Sequence, residues 1–285
     1  MSVGAELLQT LTAGRFRLAL ERPLVMGIVN ITPDSFSDGG QYLAHTAAID
    51  HAHRLIEEGA DILDLGAEST RPGAEPVDAA EELRRLTPVL TALMDSGVPL
   101  SVDTMKPKVM QAAIDLGAAM INDIQALRTP GALDVLAGTD AAVCLMHMQG
   151  EPRTMQAAPD YIDVCAEVSE FLAERVAACM ERGIAFERIV IDPGFGFGKR
   201  AEHNLKLLAE LEQFTQVGVP VLVGLSRKST LGQITGRAPE ERLAASVTAA
   251  LIAIERGARI IRVHDVAATR DAIAVWQAVR QHQAH

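Results

Sequence analysis

Residues 57–68 read EEGADILDLGAE, and the succession of residue types in this dozen decides the fold. Two acids and a glycine close a helix, because Gly59 can take the left-handed backbone that ends one. Ile62, Leu63 and Leu65 then make an apolar run of strand length, and a polar segment opens at Glu68. The same helix, glycine, strand order returns as DLGAAMINDI (115–124), ERGIAFERIVIDPG (181–194) and ERGARIIRVHDV (255–266). Working outward, strand-like runs occur at 25–29, 62–65, 100–102, 120–121, 142–146, 189–191, 221–224 and 260–263. Between them lie segments with helical spacing. Leu83, Leu86, Leu90 and Leu93 share one face, as do Tyr161, Val164, Cys165, Val168, Phe171 and Leu172, and Pro88 should kink or break the first of these helices.

The strand runs are continuously apolar rather than alternating, as parallel strands covered on both faces require. About eight β-then-α units with no linker, charge block or low-complexity tract between them predict a single-domain α/β protein, a (β/α)8 TIM barrel, rather than an open doubly wound sheet. The barrel core spans 24–282, and residues 1–23 form a short N-terminal extension. There Phe16, Leu18 and Leu20 alternate, as in a hairpin closing the barrel bottom.

Composition narrows the function. The 285 residues carry 37 acidic against 26 basic side chains, a net charge of −11, which disfavours a nucleic-acid or anionic-membrane surface. No apolar run approaches the roughly 20 residues that span a bilayer, and the start of the chain lacks the pattern of an export signal. Cys144, Cys165 and Cys179 are odd in number without C-x-x-C spacing, so they read as reduced core residues of a cytoplasmic protein. The sequon Asn30-Ile31-Thr32 is then a coincidence.

In a barrel of this kind, chemistry gathers where strands end. Those ends hold Asn30, AESTRPG (67–73), Asp103, Asn122 with Asp123, His147, DPGFGFGK (192–199), SRKS (226–229) and RVHD (262–265). Any one polar residue there is most simply a cap or turn residue; eight on one face are not. Arg71, Lys228, Arg262 and His264 make a local cationic set in an acidic protein, suited to a phosphate or diphosphate. Lys228 could equally be a Schiff-base nucleophile, as in aldolases. Asp103, Asn122 and Asp192 suit the donor and acceptor pattern of a heterocycle such as a pterin or purine, with metal ligation by the two acids as the competing use. GFGFG lacks the G-x-G-x-x-G spacing of a dinucleotide site. Its glycines allow close backbone approach, and Phe195 and Phe197 either face a ligand or belong to the core. Met146 lies close enough to the barrel top to touch a ring.

MGIVNITPDSFSDGG, GAESTRPGA, SVDT, IND, LMHMQGEPRTMQ, DPGFGFGK, GLSRKS and RVHDV, in order from about residue 24 to 270, together resemble the dihydropteroate synthase family. The resemblance implies condensation of 6-hydroxymethyl-7,8-dihydropterin diphosphate with 4-aminobenzoate, releasing diphosphate, in folate synthesis. It puts the pterin on Asp103, Asn122, Asp192 and Lys228, with Met146 and Arg262 against its faces. It puts the diphosphate on Asn30, Arg71, Arg262 and His264, with Mg²⁺ at Asn30. The aminobenzoate lies among Thr70, Arg71, Pro72, Phe197 and Ser226, under Phe36. The same resemblance implies that Asp103, Asp192, Lys228, Arg262 and His264 carry the chemistry and that the protein is a homodimer, and loops 31–40 and 67–77 are expected to close over the site. The rivals are a pterin-binding methyltransferase-like domain, which holds no diphosphate, a Schiff-base aldolase, and a catalytically silent pterin-binding paralogue.

Overall fold

In the computed structural model, which describes residues 8–31, 40–69, 76–151 and 154–283, each barrel strand sends alternate side chains in opposite directions. Val25, Val29, Leu63, Leu65, Val102, Ile121, Val143, Leu145, Ile189 and Ile261 point outward, into the layer shared with the helices. Met26, Ile62, Met120, Ala142, Cys144, Val190, Leu222 and Ile260 point inward and fill the lower barrel. Both directions are apolar over most of each strand, which is why the runs do not alternate in sequence.

The strands are β3 (Leu24–Asn30), β4 (Ile62–Gly66), β5 (Leu100–Asp103), β6 (Met120–Asp123), β7 (Ala142–Met146), β8 (Ile189–Asp192), β9 (Leu222–Val223) and β10 (Ile260–Val263). They pair in parallel in the order β8-β7-β6-β5-β4-β3-β10-β9, and a parallel bridge between Ile191 and Val221 closes the ring. The helices between and after them are α1 (Gly40–Glu57), α2 (Ala79–Leu93), α3 (Pro107–Asp115), α4 (Ala132–Ala137), α5 (Val164–Glu181), α6 (Ala201–Ala209), α7 (Ser229–Thr235), α8 (Leu243–Glu255) and α9 (Val266–Gln283).

Ahead of the barrel, β1 (Thr10–Ala13) and β2 (Phe16–Ala19) form an antiparallel hairpin. Its Leu11 and Ala13, with Leu20 just beyond, pack on the inward side chains of the barrel strands, so the expected bottom closure is present. Asp61 fastens that end: it takes two guanidinium bonds from Arg22, one from Arg270 and the N–H of Val25.

Two sequence expectations change. Helix α2 runs through Pro88 without a break. Pro88 faces solvent, where water can take the bond its missing N–H leaves open, while Leu86, Val89, Leu90 and Leu93 are buried and hold the helix to the barrel. Tyr161 is not on the α5 face; the helix starts at Val164, capped by Asp163, and the Tyr161 hydroxyl donates to the Gly198 carbonyl instead.

Candidate active site

The register of the upper barrel sets the site. Asn30 pairs with Gly66, Gly66 with Asp103, and Asp103 with Asn122, so three polar side chains ring one hollow around a residue that has none. A Cβ on Gly66 would stand 3.9 Å from Asn30 Oδ1 and 3.8 Å from Asp103 Cβ, so the glycine keeps the space between them open.

Arg262 enters this hollow from β10. Its Nε donates to Asp64 Oδ2 at 2.6 Å and its Nη2 to Asp103 Oδ2 at 3.1 Å. The same Asp64 oxygen accepts from Asn122 Nδ2 at 3.2 Å, so one buried carboxylate orients both the guanidinium and the amide. Burial works against the charge on Arg262, but Asp64 and Asp103 outweigh it and hold its pKa above the usual arginine value. Burial pushes the Asp103 carboxyl up to about 7 in spite of Arg262.

Asp64 was not legible as a site residue in sequence. It sits at the centre of ILDLG, and the only signal was a charge inside an apolar strand, on the parity that faces the barrel axis. Its side chain is fully buried and, among the described residues, its Oδ1 has no hydrogen-bond partner, which calls for an explanation in a native structure.

Across the mouth, Asp192 ends β8, and its Oδ1 accepts from Gly194 N at 2.7 Å. Burial raises its pKa, while the Gly194 bond and the charge of Lys228 act the other way. Lys228 Nζ stands 4.3 Å from the centre of the Phe197 ring, a cation–π contact. The two phenylalanines of GFGFG divide: Phe195 is core, and Phe197 packs at the edge of a mouth cluster of Ile124, Met146, Met148 and Met155. Positive φ at Gly194, Gly196 and Gly198 turns the chain so that successive rings face opposite ways.

His264 is neutral rather than one of the cations. Burial and the nearby charges of Arg227 and Arg262 pull its pKa down to about 4. Ser226 Oγ lies 3.0 Å from His264 Nδ1 and accepts the His264 backbone N–H at 3.2 Å, so it holds the imidazole from two sides. With Nδ1 engaged, Nε2 is the ring nitrogen left to meet a ligand. Ser226, expected against the aminobenzoate, is thus engaged with His264. Asp265 next to it makes a two-pronged pair with Arg227, whose left-handed backbone (φ 59°) shapes the SRKS turn before Lys228.

One further ion cluster borders the site. Lys106 Nζ lies 2.6 Å from both Glu68 and the fully buried Glu82, and Glu68 also accepts from Val77 N. Glu68 therefore joins the two ends of the segment that contains Thr70, Arg71 and Pro72. Those three residues and Phe36 lie outside the described residues, as do Asp34, Asp38 and most of the two expected closing loops.

The structure thus brings together Asn30, Asp103, Asn122, Met146, Asp192, Phe197, Ser226, Lys228, Arg262 and His264 on one barrel face. Known proteins match the chain along nearly its whole length. The sequence profile of the family described as "Pterin binding enzyme" matches residues 26–264. Dihydropteroate synthase from Neisseria meningitidis serogroup B is 52% identical over 274 residues, covering 94% of this chain and 96% of that one. A Xanthomonas albilineans dihydropteroate synthase structure with 4-aminobenzoic acid is 56% identical, with a TM-score of 0.91, covering 95% of this chain and 98% of that one. A Burkholderia cenocepacia dihydropteroate synthase structure with 7,8-dihydropteroate is 51% identical, with a TM-score of 0.88, covering 98% and 99%. With the barrel, the polar ring at its mouth and these matches in agreement, the chain belongs to the pterin-binding enzyme family, among its dihydropteroate synthases.

Proposed function

We infer that the protein condenses 6-hydroxymethyl-7,8-dihydropterin diphosphate with 4-aminobenzoate, giving 7,8-dihydropteroate and diphosphate. The observation that carries this reading is the Asp64–Arg262–Asp103 arrangement, with Asn122 on the same carboxylate. It sets carboxylate, amide and guanidinium groups around one hollow, a mixture that fits a heterocycle bearing an anionic tail.

The pterin ring lies between Asp103, Asn122, Asp192 and Lys228, with Met146 and Arg262 against its faces. The carboxylates accept from ring N–H groups. The diphosphate is held by Arg262, by Nε2 of His264, and by Arg71. As the methylene C–O bond breaks, its electron pair leaves with the diphosphate, and these donors meet the charge that builds there. The methylene left behind is cationic and delocalised into the ring, where Asp103 and Asp192 favour it. The aromatic amine, neutral near pH 7, attacks that carbon and then sheds its proton. Phe197 and Ser226, with Thr70, Pro72 and Phe36, make the aminobenzoate wall. Water has to be kept out until the amine is in place, which is the role of the loops around 31–40 and 67–77.

For Mg²⁺, the residues fit. Asn30 offers one neutral oxygen at the edge of the space that Gly66 keeps open, and Mg²⁺ commonly takes one or two protein oxygens and fills its shell with water and substrate phosphates. When bound, the ion neutralises charge on the departing diphosphate.

We propose a homodimer for the assembly, supported by Ala244, Thr248 and Ile252 exposed along one side of α8, with exposed Ile234 on the adjoining α7. We also place the protein in a reducing, cytoplasmic compartment, since all three cysteines are buried and unpaired. Among the described residues no helix is long and apolar enough to cross a membrane. Diphosphate release, assayed with each substrate omitted in turn and Mg²⁺ varied, tests the reaction. Release with the pterin diphosphate alone, or none with both substrates, would overturn it.

A further inference from the structure

Lys199 is a buried charge to which the mechanism gives no task. It is 2% exposed. Its Nζ lies 2.9 Å from His147 Nδ1, 3.0 Å from the Gly194 and Phe197 carbonyls and 3.3 Å from the His147 carbonyl. None of these four partners is an anion. An ammonium taken out of water with no anion among its hydrogen-bond partners is unfavourable unless every donor is satisfied, so its retention here asks for a reason. Burial pulls its pKa down to about 7, against the opposing charge of Asp192 and with the like charge of Lys228.

The reason lies in what its partners do. Gly194 is gripped from both sides: its N–H holds the Asp192 carboxylate, and its carbonyl takes the Lys199 ammonium. A Cβ on Gly194 would stand 1.9 Å from the His147 carbonyl, so the loop after β8 is pressed onto the end of β7 at this point. Phe197 is gripped in the same manner, its carbonyl on Lys199 and its ring under Lys228. His147 completes the set. Its pKa is driven down to about 2 by burial and by the charges of Lys199 and Arg128, so the ring is neutral beside the ammonium, and its backbone N–H bonds the Asp192 carbonyl. The ring is fixed edge-on against Phe171.

With positive φ at 194, 196 and 198, this loop has no regular ladder to order it, and its carbonyls turn inward. Lys199 collects two of them, while Gln156 and Tyr161 take those of Gly196 and Gly198.

We propose that Lys199 is a positioning residue for the pterin side of the site, an internal cation that sets where Asp192 and Phe197 point without touching substrate. The proposal rests on the functional reading above. Lys199→Met keeps an unbranched chain of similar length and removes the donors, and Lys199→Gln restores part of the hydrogen bonding. The expected result is a tenfold or larger rise in KM for the pterin diphosphate in Lys199→Met, partly recovered in Lys199→Gln, with kcat within about threefold. Inhibition by inorganic diphosphate should stay within twofold, because Arg262 lies on β10 and His264 directly follows it, away from the loop that Lys199 orders. Hydrogen exchange should speed up at residues 194–198 while the strands keep their protection. A pterin KM within twofold of the parent in both variants would overturn the proposal. So would a parallel shift of KM and diphosphate inhibition with protection lost throughout the barrel, or failure of both variants to fold, since Lys199 would then be structural only. A parent protein that releases no diphosphate refutes the catalytic reading instead, and the exchange measurement then decides on Lys199.

Discussion

Nε of Arg262 lies 2.6 Å from Oδ2 of Asp64, a fully buried carboxylate 198 residues away in the chain. Asp64 accepts Asn122 through the same oxygen, so a single strand residue orients two groups assigned to the pterin and diphosphate. Without it Arg262 keeps only its bond to Asp103, and the Asn122 amide loses this acceptor, so two charge-assisted hydrogen bonds go at about 1.5–3 kcal/mol each. Asp64→Ala should therefore lower unfolding free energy by about 3 kcal/mol in urea titrations and reduce diphosphate release at least a hundredfold. A variant with parental activity would remove Asp64 from the site.

The neighbouring carboxyl sets a pH dependence. Asp103 has its pKa raised to about 7, so the folded state holds a proton that the unfolded chain releases near pH 4. This group's contribution to stability is greatest below pH 4 and declines as pH rises from about 4 to about 7. Binding runs the other way, because the carboxylate accepts from a ring N–H more strongly than the protonated acid does. Pterin affinity should fall as pH drops below about 7, and Asp103→Asn should flatten that limb in titration calorimetry.

His264 should stay neutral throughout that range. With its pKa near 4, its ring proton signals should shift only below about pH 5 in an NMR titration. Ser226→Ala removes the group that receives the backbone N–H and bonds Nδ1, so the ring loses its fixed orientation. Diphosphate inhibition should weaken about three- to tenfold, the worth of roughly one hydrogen bond. An unchanged constant would show that this bond does not orient the donor.

The two loop phenylalanines should separate stability from binding. Phe195→Ala opens a cavity in the core and should lower stability by about 3–5 kcal/mol. Phe197→Ala removes a ring at the mouth and its contact with Lys228, so stability should change little while KM for aminobenzoate and pterin rises about tenfold. Equal melting temperatures for the two variants would contradict the split.

A pair of glycines gives a control for loop packing. Gly97 and Gly194 both have positive φ, but a Cβ at Gly97 meets nothing within 4 Å, whereas one at Gly194 meets the His147 carbonyl. Gly97→Ala should cost only the backbone strain, about 1 kcal/mol. Gly194→Ala must also displace the loop under Asp192, and should lose most activity as well as several degrees in Tm.

The chain's own order of residues determined that it is a barrel and which end carries chemistry. The helix, glycine, strand succession and the polar strand ends are local features, readable because backbone preference and burial on both faces act over a few residues. Asn30, Asp103, Asn122, Asp192, Lys228 and Arg262 were legible for that reason. Tertiary structure decided the rest. Asp64 became a site residue only because strand parity and an eight-stranded ring point it at Arg262 and Asn122. Whether Phe195 or Phe197 faced the mouth depended on three glycine torsions, and whether His264 is charged depended on burial and on the charges of Arg227 and Arg262 beside it. Pro88 stayed within a helix because packing on the barrel outweighed a local preference to stop. These outcomes turn on contacts between segments tens to hundreds of residues apart, and on the low dielectric that packing creates around them, neither of which any single stretch of sequence contains.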